Sequence, residues 1–132
     1  MTLLEKMRAG LDDERLARVA RAENLPADLL RRRLADGTAV IPWADGHGLA
    51  KPMAVGRGCR VKVNANIGAS PDISTLEEEL EKLRVAVDAG ADAVMDLSIG
   101  GDLREIRRRV RAACPVSLGS VPVYEAAFAC SA

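Results

Sequence analysis

The chain lacks a surplus of charge of either sign: its 132 residues carry 19 basic and 19 acidic side chains. A balance of that kind gives no electrostatic reason to expect nucleic acid or an anionic membrane as a partner, and neither is expected. There is no apolar run near the roughly 18 residues that a membrane span requires. The opening MTLLEKMRAG is charged where a signal peptide needs an apolar segment, so a cytoplasmic protein is expected. Histidine is almost missing: His47 stands alone between glycines in GHG, without the neighbours a metal site needs, and reads as a solvated loop residue. Cysteine is sparse and odd in number. Cys59, Cys114 and Cys130 fit neither a disulfide framework nor a CxxC clamp, and they read as small buried hydrophobes.

What the chain does have is a composition 48% hydrophobic, enough for the core of one domain. Residues 1–58 read as a lead-in. In DDERLARVARAEN, Leu16, Val19 and Ala20 recur at helical spacing, and Pro26 suits the first position of a second helix that Gly37 ends. The three arginines from Arg31 to Arg33 point in different directions and are flanked by Asp28 and Asp36, which favours a solvated face over a phosphate patch. TAVIP predicts a short strand, and the Gly/Pro-punctuated stretch from Trp43 to Gly58 a loop.

From residue 59 to 132 the pattern changes. RVKVN predicts a strand. Ser74 with Glu77 predicts a capping box ahead of Leu76, Leu80, Leu83 and Val87, which share one helix face, and Gly90 closes that helix. ADAVMDLS predicts a second strand. Asp102 with Glu105 repeats the cap before Leu103, Ile106 and Val110, Pro115 ends the helix, and VSLGSVPVYEA predicts a third strand and its continuation. Crossovers of this length demand parallel pairing, the opening of an α/β sheet or barrel. Glu77, Glu78, Glu79 and Glu81 are expected on the solvated side and first turn of their helix.

Ligands of parallel α/β folds bind at the carboxyl ends of the strands. Three of the expected strands end in polar clusters there: Asn64, Asn66, Gly68 and Ser70; Met95, Asp96 and Ser98; Ser120 and Tyr124. Amides supply donors and acceptors, and glycine admits close backbone approach. Spacing alone leaves binding and loop bracing equally open for the asparagines, and it favours core over contact for Met95.

The segments VKVNANIG (61–68), EEELEKLR (77–84), GADAVMDLS (90–98) and PVSLGSVPVYEA (115–126), taken in order, resemble the phosphomethylpyrimidine synthase (ThiC) family of radical S-adenosylmethionine enzymes of thiamine biosynthesis. The family includes the related 5-hydroxybenzimidazole synthase of cobalamin lower-ligand synthesis. A looser likeness covers residues 23–53. The resemblance implies a (β/α)8 TIM-type barrel that converts 5-aminoimidazole ribonucleotide to 4-amino-5-hydroxymethyl-2-methylpyrimidine phosphate. It also implies a homodimer for the complete enzyme. Carried over by motif, the substrate contacts fall on Asn66 for hydrogen bonds to imidazole or ribose, Met95 for packing under the ring, and Tyr124 for a hydroxyl reaching ribose or phosphate.

S-adenosylmethionine, a [4Fe-4S] cluster and a zinc-type metal ion are implied for the complete enzyme. The family's CxxCxxxxC motif and metal-holding histidines are absent from this chain, so no catalytic or metal-ligating residue is assigned in it. A TIM barrel takes about 250 residues. The chain is therefore expected to be the N-terminal lead-in and first three β/α units of an incomplete barrel, inactive alone and without a sharp cooperative melt. Two alternatives stand beside this one: the benzimidazole synthase, and a non-catalytic remnant that binds the ribonucleotide or a partner. Without the resemblance, a phosphate-binding α/β domain would be the fallback.

Overall fold

The computed structural model describes residues 1–44, 46–70 and 74–131. It divides into two compact units, Met1–Val61 and Lys62–Ala132. No helix among the described residues is long and apolar enough to cross a membrane.

The first unit holds helices α1 (Leu3–Arg8), α2 (Glu14–Ala22) and α3 (Ala27–Ala35) and a two-stranded antiparallel ladder of β1 (Ala39–Val40) with β2 (Val55–Gly56). Two helices are predicted and three are found. The extra one, α1, starts at a capping box in which the Thr2 hydroxyl accepts from the Glu5 amide and the Glu5 carboxylate accepts from the Thr2 amide. Pro26 is the residue before α3, in extended conformation, and not its first helical residue. The strand predicted at TAVIP shrinks to Ala39–Val40, with Pro42, which has no N–H for a ladder, just beyond. Its partner β2 lies inside the stretch expected to be loop.

Met7, Leu16, Val19, Leu30 and Leu34 pack as the core of this unit with Ala54. A buried carboxylate ties the loops to it: Glu23 accepts from the backbone N–H groups of Ala54 and Arg60, both at 3.0 Å. The Ala54 donor is buried and the bond from Arg60 partly so, and the side chain does for the loop what a ladder does for a strand.

The second unit runs β3 (Asn64–Ile67), α4 (Leu76–Asp88), β4 (Ala93–Asp96), α5 (Leu103–Ala113), β5 (Ser117–Ser120) and α6 (Pro122–Ser131). The three strands lie in the order β3-β4-β5, all parallel as the crossovers require. It is a mixed α/β arrangement with an open three-stranded sheet, and no closed barrel is formed among the described residues. Val94, Ile67 and Val116 face Leu83 of α4 and Ile106 and Val110 of α5 in one core. Gly90, at φ +99°, follows the end of α4 as expected.

The first strand is displaced from its predicted place. RVKVN is not the ladder; NANI is, and Val61 and Val63 stand 91% and 64% exposed ahead of it. The valine alternation is real, but the ladder begins at Asn64, opposite Ala93, and the helices cover the row that begins at Ala65. Asp92 holds the approach: its carboxylate accepts from the Val63 amide at 2.9 Å while its own amide donates back to the Val63 carbonyl. The third strand is likewise shorter than predicted. It stops at Ser120, and Pro122, pre-set for a first helical position, turns its continuation into α6. The cap of α4 also shifts by one residue, to Thr75 with Glu78, because Ser74 is engaged elsewhere.

Replacing Glu23 by alanine strands two backbone donors and should cost about 3 kcal/mol. Hydrogen exchange on the intact chain should then show the Ala54 and Arg60 amides opening about a hundredfold faster. Unchanged protection at both would mean that the carboxylate does not hold the loop.

Candidate functional site

Side chains alternate across a strand, and residues in register on parallel neighbours share a face. Ala65, Ile67, Val94 and Leu118 turn toward the helices. The other face carries two rows across the strands, Asn64–Ala93–Ser117 and Asn66–Met95–Gly119. Asn64 and Asn66 are exposed there and the remaining four are half-buried. The asparagines are thus members of the strand on its uncovered side, not residues beyond its end. Strand propensity disfavours amides, and an open polar face removes that objection because nothing buries them.

Asn66 and Met95 are cross-strand neighbours, so two of the three expected contacts are brought together. Beside them Gly119 leaves space that Met95 uses: a Cβ at 119 would lie 2.9 Å from the Met95 sulfur and methyl group. On the same face the Ser117 hydroxyl oxygen is buried and makes no hydrogen bond among the described residues. Within the face itself the Asn64 amide Nδ2 donates to Asn66 Oδ1 at 2.9 Å. Tyr124, the third expected contact, is on no strand. It is exposed in the first turn of α6, just past the carboxyl end of β5.

The loop after β3 is held by two buried carboxylates. Glu79, with no exposure to water, accepts from the Gly68 amide at 2.6 Å, from the Ser74 hydroxyl and from Lys82 Nζ at 2.7 Å. The four glutamates of α4 are expected in solvent from the sequence, and Glu79 is the exception. Its spacing, three residues after Leu76 and four before Leu83, places it on the apolar stripe, a signal that the solvated reading passes over. Asp96 accepts from the Ser98 amide and hydroxyl, and that hydroxyl in turn accepts from the Ala69 amide. Gly68 passes so close to β4 that a Cβ there would lie 2.7 Å from the Leu97 carbonyl carbon. Between this loop and the one after β4 lies a cleft of about 230 Å³ bordered by Ser70, Ser74, Gly100 and Asp102.

Burial by itself would raise the Glu79 carboxyl pKa, but Lys82, Ser74 and the Gly68 amide outweigh it and hold the group below its ordinary value. A larger hollow, about 730 Å³, lies in the first unit beside Trp43 and His47. It is wide open, and its deepest charge is already committed: Asp13 accepts from Arg15 at 2.8 Å and from Lys6 at 3.0 Å. Arg15 holds the Asp13 carboxyl far below the usual carboxylate range. The sheet face is the stronger candidate, because its polar groups still have capacity to bind.

The cysteines do not form a metal site. Cys114 is buried in the second core with its thiol on the Val116 carbonyl, and burial pushes its pKa up. Cys59 is half-buried against the first core, and Cys130 on α6 is exposed, against the expectation of three buried thiols. Among the described residues no three of His, Cys, Asp and Glu converge as ligands. This donor set does not fit an iron–sulfur cluster or a zinc ion.

These features define the chain's second unit as a parallel β/α segment with a polar, open sheet face and carboxylate-braced loops at its strand ends. The Radical SAM ThiC family profile matches residues 2–132. Phosphomethylpyrimidine synthase of Thermotoga petrophila is 49% identical over 127 residues, and that of Pyrococcus abyssi 50% identical over 127. The enzyme of the same name from Methanopyrus kandleri is 50% identical over 128 residues. In each case the match covers 96% of this chain and 30% of the relative. The chain belongs to the Radical SAM ThiC family, and it spans about 30% of the length of these relatives.

Because the folded Glu79 pKa lies below its ordinary value near 4.5, the unfolded chain binds the proton first as pH falls. Its stabilising contribution is therefore complete above about pH 5.5 and is lost as pH drops through 4.5 toward the folded value. Glu79→Gln should lower stability at pH 7 by about 2 kcal/mol and flatten the acid limb below about pH 5.5. Denaturant titrations across that range test both, and an unaltered acid limb would remove Glu79 from this role.

Proposed function

We propose that this chain supplies part of the substrate site of a phosphomethylpyrimidine synthase, the lyase that converts 5-aminoimidazole ribonucleotide to the phosphorylated hydroxymethylpyrimidine of thiamine biosynthesis. The observation that carries this is the pairing of Asn66 with Met95 on an uncovered sheet face, with the room left by Gly119 beside them. On this reading Asn66 hydrogen-bonds the imidazole or ribose, Met95 packs under the ring, and Tyr124 reaches the ribose or phosphate from α6.

The unit is read as the N-terminal three β/α repeats of a TIM-type barrel. One feature supports that: helices cover one side of the sheet, and the polar rows on the other side have no covering layer among the described residues. The family name implies S-adenosylmethionine and an iron–sulfur cluster. Since the cysteines here do not fit such a group, its ligands belong to the remainder of the complete enzyme, and the 132 residues alone are inactive. The resemblance also supports a cytoplasmic homodimer and a zinc-type ion in the complete enzyme.

In the complete enzyme, Asn66→Ala should weaken 5-aminoimidazole ribonucleotide binding by about tenfold, roughly 1.4 kcal/mol for one hydrogen bond, and Tyr124→Phe by about threefold. Calorimetric titration reads both, and unchanged affinity in both variants would remove the substrate assignment. Gly119→Ala displaces only the flexible end of Met95. It should therefore alter affinity with a stability change under about 1 kcal/mol. Product analysis separates the pyrimidine from the benzimidazole synthase.

A further inference from the structure

The sheet face contains one side-chain hydrogen bond that the substrate reading does not use, and it has a direction. Asn64 Nδ2 donates to Asn66 Oδ1 at 2.9 Å. A carboxamide offers an acceptor oxygen and a two-hydrogen donor on opposite sides, so engaging one fixes where the other points. With its oxygen held by Asn64, Asn66 turns its NH2 group to the open face, where it has no partner among the described residues. The cross-strand neighbours do not compete: Ala93 beside Asn64 offers only a methyl group, and Met95 beside Asn66 only a weakly accepting thioether.

We infer that Asn64 is a positioning residue that sets the polarity of Asn66, so that the ligand atom meeting Asn66 is a hydrogen-bond acceptor. An unprotonated ring nitrogen or a ribose or phosphate oxygen satisfies this; an exocyclic amine or a protonated ring nitrogen does not. The inference rests on the reading of Asn66 as a substrate contact. Its physical content is a pre-set donor: an amide already turned loses no orientational freedom when the ligand arrives.

Asn64→Asp is the discriminating variant, because it keeps the shape and exchanges the donating NH2 for an acceptor oxygen. The Asn66 amide then turns its own NH2 to the introduced carboxylate and presents its oxygen to the ligand, acceptor against acceptor. In the complete enzyme, titrated with 5-aminoimidazole ribonucleotide, Asn64→Asp should weaken binding about tenfold. Asn64→Ala, which merely frees the amide to take either orientation, should weaken it only about twofold. In an Asn66→Ala background, Asn64→Asp should change affinity by less than about twofold, since there is no amide left to turn.

A tenfold loss that persists in the Asn66→Ala background would mean that the new charge repels the ligand directly, and would overturn the inference. So would full affinity in Asn64→Asp while Asn66→Ala binds weakly. If Asn66→Ala itself binds as wild type, it is the substrate assignment of Asn66 that falls, and the two failures are distinguished. The Asn64 side-chain NH2 resonances, which should shift in Asn66→Ala without any ligand, report the pair independently of activity.

Discussion

A carboxylate with no access to water holds the second unit's most consequential turn. Glu79 gathers a backbone amide, a hydroxyl and an ammonium from three different positions, Gly68, Ser74 and Lys82. A buried charge is costly when alone and tolerable only when its lone pairs are filled, so the site around it must adopt the geometry that fills them. The chain leaving β3 is thereby drawn against the first turn of α4, and the mouth of the sheet takes its form from that demand. Gly68 answers it with the absence of a side chain, which lets the backbone pass against Leu97 and Ser98.

The second loop anchor has the same character. Asp96 at the end of β4 takes the Ser98 amide and hydroxyl, and the hydroxyl passes the connection on to Ala69. Two neighbouring strand ends are therefore fixed to each other by side chains as well as by the backbone bonds from Leu97 to Ile67 and from Ile99 to Ala69. In the first unit Glu23 does the equivalent for Ala54 and Arg60. Exposed ion pairs such as Arg84 with Glu81 and Asp88 are numerous by comparison and individually worth little, because water screens them. Rigidity here comes from a few buried acceptors more than from the many surface pairs.

Rigid strand ends bear on the proposed substrate site, because the face proposed to bind lies beside them. The alternation of the strand separates two sides: Ile67 and Val94 seal the core on one, while Asn64, Asn66 and Met95 lie on the other, which no helix covers among the described residues. The ladder fixes their spacing, and the Asn64–Asn66 hydrogen bond sets the direction of the amide on that frame.

Much is legible from residues alone. Parallel β/α order follows from the crossovers, the α4 and α5 stripes from their period, and family membership from the quoted motifs. Asn66 and Met95 are legible as a pair only in the sense that both lie near expected strand ends. The tertiary structure decided what local patterns could not. It moved the ladder from RVKVN to NANI, because strands pair where helices can cover one face and not where valines alternate best. It supplied the partners of Glu79, whose place on the apolar stripe is local but whose burial is tolerable only because Gly68 and Ser74 approach it. It put Tyr124 on a helix, and it joined Asn64 to Asn66. Periodicity is a local property and reports elements; satisfaction of a buried or aimed polar group depends on partners that only the folded chain brings near.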